Sequence, residues 1–167
     1  IFTIQQEVFS KYHMKDSRVF YNKEDLWDVP REMYQSNEVD FEPYYLIVHL
    51  PGEVKEEFAL LQAFTPKSKN NIVAWMAARS DENYGEIMLY TFSKEKFITG
   101  PMQLEARIDQ DAEISQLFSL WSQGGSNVIR GHITILPIEN SLLYIEPIYL
   151  RASQEAALPE LTRVIVS

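Results

Sequence analysis

The period of the apolar positions changes several times along the chain, and each change marks an element. Phe2, Val8, Phe9 and Tyr12 recur at partly helical spacing, which predicts a helix over residues 2–12. Residues 24–28 read as a short helical turn, capped by Asn22 and stopped by Pro30. The stretch 28–42 is polar and without period, so it reads as a loop. Residues 44–50 are rich in β-formers and end at Pro51-Gly52, and residues 58–64 follow and end before Pro66. These two are expected to pair as a hairpin. Residues 72–79, behind Asn70 or Asn71 as cap, are apolar on nearly all sides and predict a short buried helix.

A turn is expected over 81–85, a strand over 87–92, and a short strand at Phe97-Ile98 before the Gly100-Pro101 turn. Met102, Leu104, Ala106 and Ile108 alternate with Gln103, Glu105, Arg107 and Asp109, the period of a half-buried strand. Asp111 is the cap of the clearest helix, whose Ile114, Leu117, Phe118 and Trp121 fall at i, i+3, i+4 and i+7 and whose stop is Gly124-Gly125. That stripe is expected to lie on the sheet as the centre of the core. Three strands follow, at 129–136, 142–150 and 161–166, with Pro137 and Pro147 marking edges or bulges because neither can donate to a ladder.

Short links between successive strands favour antiparallel pairing. The expectation is an α+β fold: an antiparallel sheet, open or partly closed, with two or three packed helices and an N-terminal helical arm. Residues 1–42 would form the arm and loop, and residues 43–167 the main domain.

Composition narrows the function classes. The chain has 167 residues, 46% hydrophobic and 23% charged, which suits a packed domain and excludes general disorder. Its formal net charge is −9, so a phosphate backbone or an anionic lipid surface is repelled and nucleic acid is not an expected partner. The absence of cysteine removes disulfides, zinc–thiolate sites and cysteine nucleophiles. No apolar run approaches the ~20 residues that span a bilayer, and residues 1–7 lack the features of a signal peptide.

Candidate chemistry is thin. Glu105, Arg107, Asp109, Asp111 and Glu113 form the densest polar cluster, and alternate carboxylates at a strand end could converge on Ca²⁺. The plainer assignment puts Glu105, Arg107 and Asp109 on the wet face of a strand and gives Asp111 and Glu113 to the next helix N-terminus. Asp81, Asn83 and Glu86 fail the EF-hand pattern, since Gly85 stands where a ligand belongs and Phe92 replaces the closing Glu. His13, His49 and His132 share no metal-ligand spacing, and Ser80 and Ser126 lie in no nucleophile elbow. Trp75 and Trp121 read as core, whereas Tyr34 and Tyr84 lie in expected loops and are the better candidates for surface binding. No catalytic residue, cofactor or metal ligand is assigned.

A series of words in one order carries a resemblance. They include Val19-Phe20-Tyr21-Asn22, Glu24-Asp25-Leu26-Trp27, Phe64-Thr65-Pro66-Lys67, Ala77-Ala78-Arg79-Ser80-Asp81 and Gly100-Pro101-Met102-Gln103. Ala106-Arg107-Ile108-Asp109-Gln110-Asp111, Val128-Ile129-Arg130-Gly131 and Leu142-Leu143-Tyr144-Ile145-Glu146-Pro147 continue it. The chain resembles the soluble part of bacterial proteins in the uncharacterised protein family 0182. The resemblance implies a larger membrane protein with several transmembrane helices outside this segment, and a long extracytoplasmic region of which the segment is a part, cut at both ends. The expected partners are the remainder of that membrane protein and an envelope protein. A non-catalytic docking domain is the leading expectation, with exposed apolar surface sought first on the arm at Phe2, Val8, Phe9 and Tyr12. An envelope hydrolase or Ca²⁺-binding domain built on Glu105, Asp109, Asp111 and Glu113 is the alternative.

Overall fold

A computed structural model describes residues 1–123, 125–138, 141–154 and 156–167. Four helices, α1 (Phe2–Tyr12), α2 (Ser17–Asn22), α3 (Pro101–Gln110) and α4 (Ala112–Gln123), occur among these residues. They accompany β1 (Trp27–Asp28), β2 (Arg31–Tyr34), β3 (Asn37–Asp40), β4 (Tyr44–His49), β5 (Glu56–Pro66), β6 (Ala74–Arg79) and β7 (Ile87–Thr91). β8 (Ser126–Arg130), β9 (Thr134–Ile138), β10 (Ser141–Ala152) and β11 (Glu160–Val166) follow. Among the described residues every strand pairing is antiparallel and no sheet closes on itself, so the α+β expectation holds in its open form.

By contacts the chain forms two compact units. The first comprises Ile1–Pro30 and Phe41–Gly100, and the second Arg31–Asp40 and Pro101–Ser167. Residues 1–30 thus fall with 41–100, and 31–40 with the C-terminal half, whereas the sequence pattern suggested a boundary between 42 and 43.

In the first unit β4 and β1 pair with successive stretches of β5, which pairs with β6, which pairs with β7. Val48, Leu50, Ala59, Leu61, Trp75 and Ala77 form one core cluster. Trp27, Phe64, Ala74 and Met76 form another, with Phe2 and Phe9 of α1 packed against it. Strand β6 therefore contributes to two clusters, through Trp75 and Ala77 in one and Ala74 and Met76 in the other. This corrects the helix expected over 72–79: a short run that is apolar on all sides fits a central strand as well as a buried helix. The turn expected at 24–28 is also corrected. Asp16, not Asn22, caps the local helix, accepting the N–H groups of Arg18 (2.8 Å) and Val19 (3.1 Å). Trp27 and Asp28 pair as a strand with Pro66 and Thr65.

In the second unit β10 carries β11 on one side and both β8 and β9 on the other. The single strand expected over 129–136 is two, because residues 131–133 stand opposite only Glu146 and Pro147. Pro147 marks this bulge, as a residue without an N–H should. The Gly131 N–H donates to the Pro147 carbonyl (2.9 Å). The expected loop 28–42 contains the hairpin β2–β3, in which Arg31 Nη1 donates to Asp40 (2.8 Å).

The strand expected over 102–109 is helix α3. Its buried residues are Pro101, Leu104, Glu105 and Ile108, the i, i+3, i+4, i+7 set of a helix. Leu104 and Ile108 satisfy both periods, and Glu105, a charge that the strand period places outward, is buried on the inner face of the helix. Asp111 does cap α4, accepting the N–H groups of Glu113 and Ile114 (3.0 Å each). Gly125 lies beyond that helix at φ +78°, and Gly124 of the expected stop lies outside the described residues. The α4 stripe is not the centre of the core: Ile114, Phe118 and Trp121 are half-buried, Leu117 is exposed, and no residue of α4 is fully buried.

Candidate functional site

The β8–β10–β11 sheet of the second unit has two unlike faces, because side chains alternate along each strand. Tyr144, Glu146 and Ile148 of β10 are buried on the inner one. Arg130 of β8, paired with Ile148, points to the same side and is itself buried. Its Nε and Nη2 donate to the two oxygens of Glu146 (2.7 and 3.1 Å), and its Nη1 donates to Asp109 of α3 (2.8 Å). Glu105, one helical turn before Asp109, also contacts the guanidinium, and the Phe118 ring of α4 lies 5.8 Å from it. One cation thus faces three carboxylates, two of them buried. Burial, with Glu146 beside it, pushes the Glu105 carboxyl up to about 8 against the pull of Arg130. The first unit repeats the device: buried Arg79 bonds Glu57, Glu53 (2.9 Å) and Glu86 (3.1 Å).

The bulge brings a second charged group to the sheet. Glu32 of β2 is buried, with Oε1 2.6 Å from His132 Nδ1 and Oε2 accepting the Ile133 N–H (2.9 Å). Burial raises the Glu32 carboxyl above its usual range, while these two contacts pull it down. His132 is half exposed and stacks on Tyr34, ring centres 4.0 Å apart. The two rings border a groove of about 430 Å³ whose other walls include Ile129, Pro147 and Tyr149.

Ile129, Pro147 and Tyr149 belong to the outer face. Across β10 and β11 that face pairs Ile145 with Val166, Pro147 with Val164 and Tyr149 with Leu161. The β10 residues of this set are half-buried, and Leu161, Val164 and Val166 are 58%, 48% and 58% exposed. An antiparallel sheet with one solvated face normally shows polar residues there. This one is apolar on its outer face as well, and β11 is a free edge in the described sheet.

The carboxylates singled out from the sequence do not converge. Glu105 and Asp109 turn to Arg130, Asp111 caps α4, and Glu113 is exposed in that helix's first turn. Among the described residues no group of three or more His, Asp or Glu could hold a metal ion. His13 stacks on Trp27 (3.5 Å), and His49 Nε2 lies 2.6 Å from the Glu53 carbonyl oxygen, so each histidine has its own local partner. Of the two tyrosines favoured for surface binding, Tyr34 borders the groove and Tyr84 is 83% exposed in its turn. The sequence pattern does not single out Arg130, Glu146 or Glu32, and it considers His132 only as a metal ligand. The one available signal was an arginine inside the apolar run 128–136.

A family model described as an uncharacterised protein family (UPF0182) matches residues 1–121. A family protein of Methanospirillum hungatei is 56% identical over the whole chain. The chain belongs to the uncharacterised protein family 0182. Family proteins of Trichodesmium erythraeum and Pelotomaculum thermopropionicum are 55% and 54% identical, again over the whole chain. The chain spans 19% of the length of the first family 0182 relative and 18% of the other two. No solved structure matches it. Membership of family 0182 brings no named activity with it.

Proposed function

We propose that this segment is a non-catalytic extracytoplasmic module of a membrane protein, and that the outer face of β10 and β11 docks on another part of the same chain. The observation that carries the reading is the row Ile145–Val166, Pro147–Val164 and Tyr149–Leu161, apolar on a face that water would otherwise wet. Contiguous apolar surface of this kind is the usual mark of an interaction site. The free edge of β11 adds unpaired backbone groups that a further strand could satisfy. Four-fifths of the length of the relatives lies outside the segment and is available as the partner. The catalytic alternative has less support, because Glu105 and Asp109 are taken up by Arg130 and Asp111 by a helix cap, which leaves Glu113 alone and exposed in the first turn of α4.

The test is photocrosslinking in the full-length protein. A benzophenone amino acid at Val164 should crosslink to residues of the same chain outside this segment, mapped by mass spectrometry, whereas the same group at Tyr84 should not. Capture of a separate envelope protein by Val164 would move the partner off the chain. Equal, diffuse labelling from both positions would remove the docking reading.

A further inference from the structure

The chain has eight lysines, and six of them, Lys15, Lys23, Lys67, Lys69, Lys94 and Lys96, line one groove of the first unit. The groove encloses about 800 Å³, inside the roughly 300–1,000 Å³ range of small-molecule sites. Among its described lining residues the carboxylates are two, Glu24 and Asp25. Six cations against two anions, in a chain of net charge −9, is a local reversal of sign.

The lysines outside the groove behave differently. Lys11 pairs with Glu7 (3.8 Å) and Lys55 with Glu82 (3.7 Å). In the groove Lys94 pairs with Asp25 (3.4 Å), but Lys15, Lys23, Lys67 and Lys69 make no side-chain ion pair among the described residues. Like charges gathered around a concavity repel one another, and the field they focus there draws in multiply charged anions. No arginine is among the described lining residues. Lysine meets an anion as a compact point charge and is a recurrent phosphate binder in that role, and several lysines around one concavity suit the compact multiple charge of a phosphate. The remaining walls combine aromatic and aliphatic side chains, among them Trp27 with His13 stacked on it, Leu89 and Phe92, with the polar Ser68, Asn71, Thr91 and Ser93.

We infer that this groove binds an organic phosphate, a small molecule with at least two negative charges and an apolar or ring-bearing body. The site lies in the first unit and does not depend on the docking face of the second. The net negative charge argues against long phosphate backbones over the whole surface, while the groove offers a local exception sized for one small ligand. A soluble metabolite and a lipid headgroup share the chemistry, and the probes separate them.

The experiment measures binding of inorganic pyrophosphate, magnesium-free ATP and water-soluble dihexanoyl phosphatidic acid, whose phosphomonoester headgroup carries about two charges, to the full-length protein in non-ionic detergent. Two double variants are compared. Lys67→Glu with Lys69→Glu reverses charge inside the groove, and Lys11→Glu with Lys55→Glu makes the same net change outside it. All four side chains are exposed, so folding is expected to survive in both. At least one probe should bind, more weakly as salt rises, with affinity lowered about tenfold or more by the groove variant and hardly at all by the control. Binding of pyrophosphate or ATP with that loss assigns a soluble ligand; binding of the lipid alone with that loss assigns a headgroup. No binding of any probe up to about 10 mM, a level at which even weak sites fill, overturns the inference. Equal loss in the two variants overturns it too, since it would show a response to net charge alone.

Discussion

One guanidinium cannot neutralise three carboxylates, and the geometry around Arg130 shows how the chain shares it. Glu146 takes the two-pronged contact, Asp109 takes Nη1 from a position open to solvent, and Glu105 is left buried beside both. Its value of about 8 in the fold, against an ordinary 4.5, means that the folded protein holds a proton there that the unfolded chain releases. Stability from this group is fully present below about pH 4.5 and is lost as pH rises through about 8. Glu105→Gln, which is neutral at every pH, should therefore be more stable than the native segment by about 2 kcal/mol or more near pH 9. The two should converge near about pH 5. Urea midpoints at the two pH values read the difference; the same offset at both would show that Glu105 stays ionised in the fold.

The elements that matter most are shaped by exceptions to their own rules. Strand β10 accommodates Pro147 because the facing strand breaks at Gly131, whose backbone comes so close that an added Cβ would sit 2.7 Å from Pro147 Cγ and 3.0 Å from Tyr149 Cε2. Gly131→Ala should cost about 1–3 kcal/mol through this overlap, and it should disturb the groove between His132 and Tyr149. Leu120→Ser, on the exposed side of α4, should stay within about 0.5 kcal/mol of the native value. Comparable thermal unfolding of the two variants would mean that the bulge yields without strain. Helix α4 is half-wrapped, with Phe118 directed at Arg130 and Leu120 63% exposed, so it covers the charged inner network rather than filling a core.

For the parent protein the proposal makes the outer β10–β11 face internal and the segment extracytoplasmic. No helix among the described residues is long and apolar enough to cross a membrane, so the spans must come from elsewhere in the chain if the proposal holds. The segment has no cysteine, which makes the location directly testable. Tyr84→Cys, placed in the full-length protein with any other cysteines replaced, should react with a membrane-impermeant maleimide in intact cells as fast as in lysed ones. Labelling only after lysis would put the segment on the cytoplasmic side and end the extracytoplasmic reading.

Local signals carried much of this architecture. Caps, turn dipeptides and periods located α1, α4, β4, β5 and the Asp111 cap, the order of elements with its short links gave the α+β class, and the ordered words of the chain were enough for the family. They carried less where one pattern fits two structures. Within the run 72–79, Ala74–Arg79 became a strand because β5 and β7 pair with its two edges and its residues are buried on both faces, and 102–109 became a helix because Glu105 turns inward to a cation twenty-five residues away in sequence. A pattern of hydrophobic and polar letters assigns charge to the outside, so Arg79, Arg130, Glu32 and Glu146 were invisible until their partners arrived from other elements and loops. The lysine groove follows the same logic in reverse. Its six cations come from four separated stretches of an acidic chain, and folding alone brings them around one cavity.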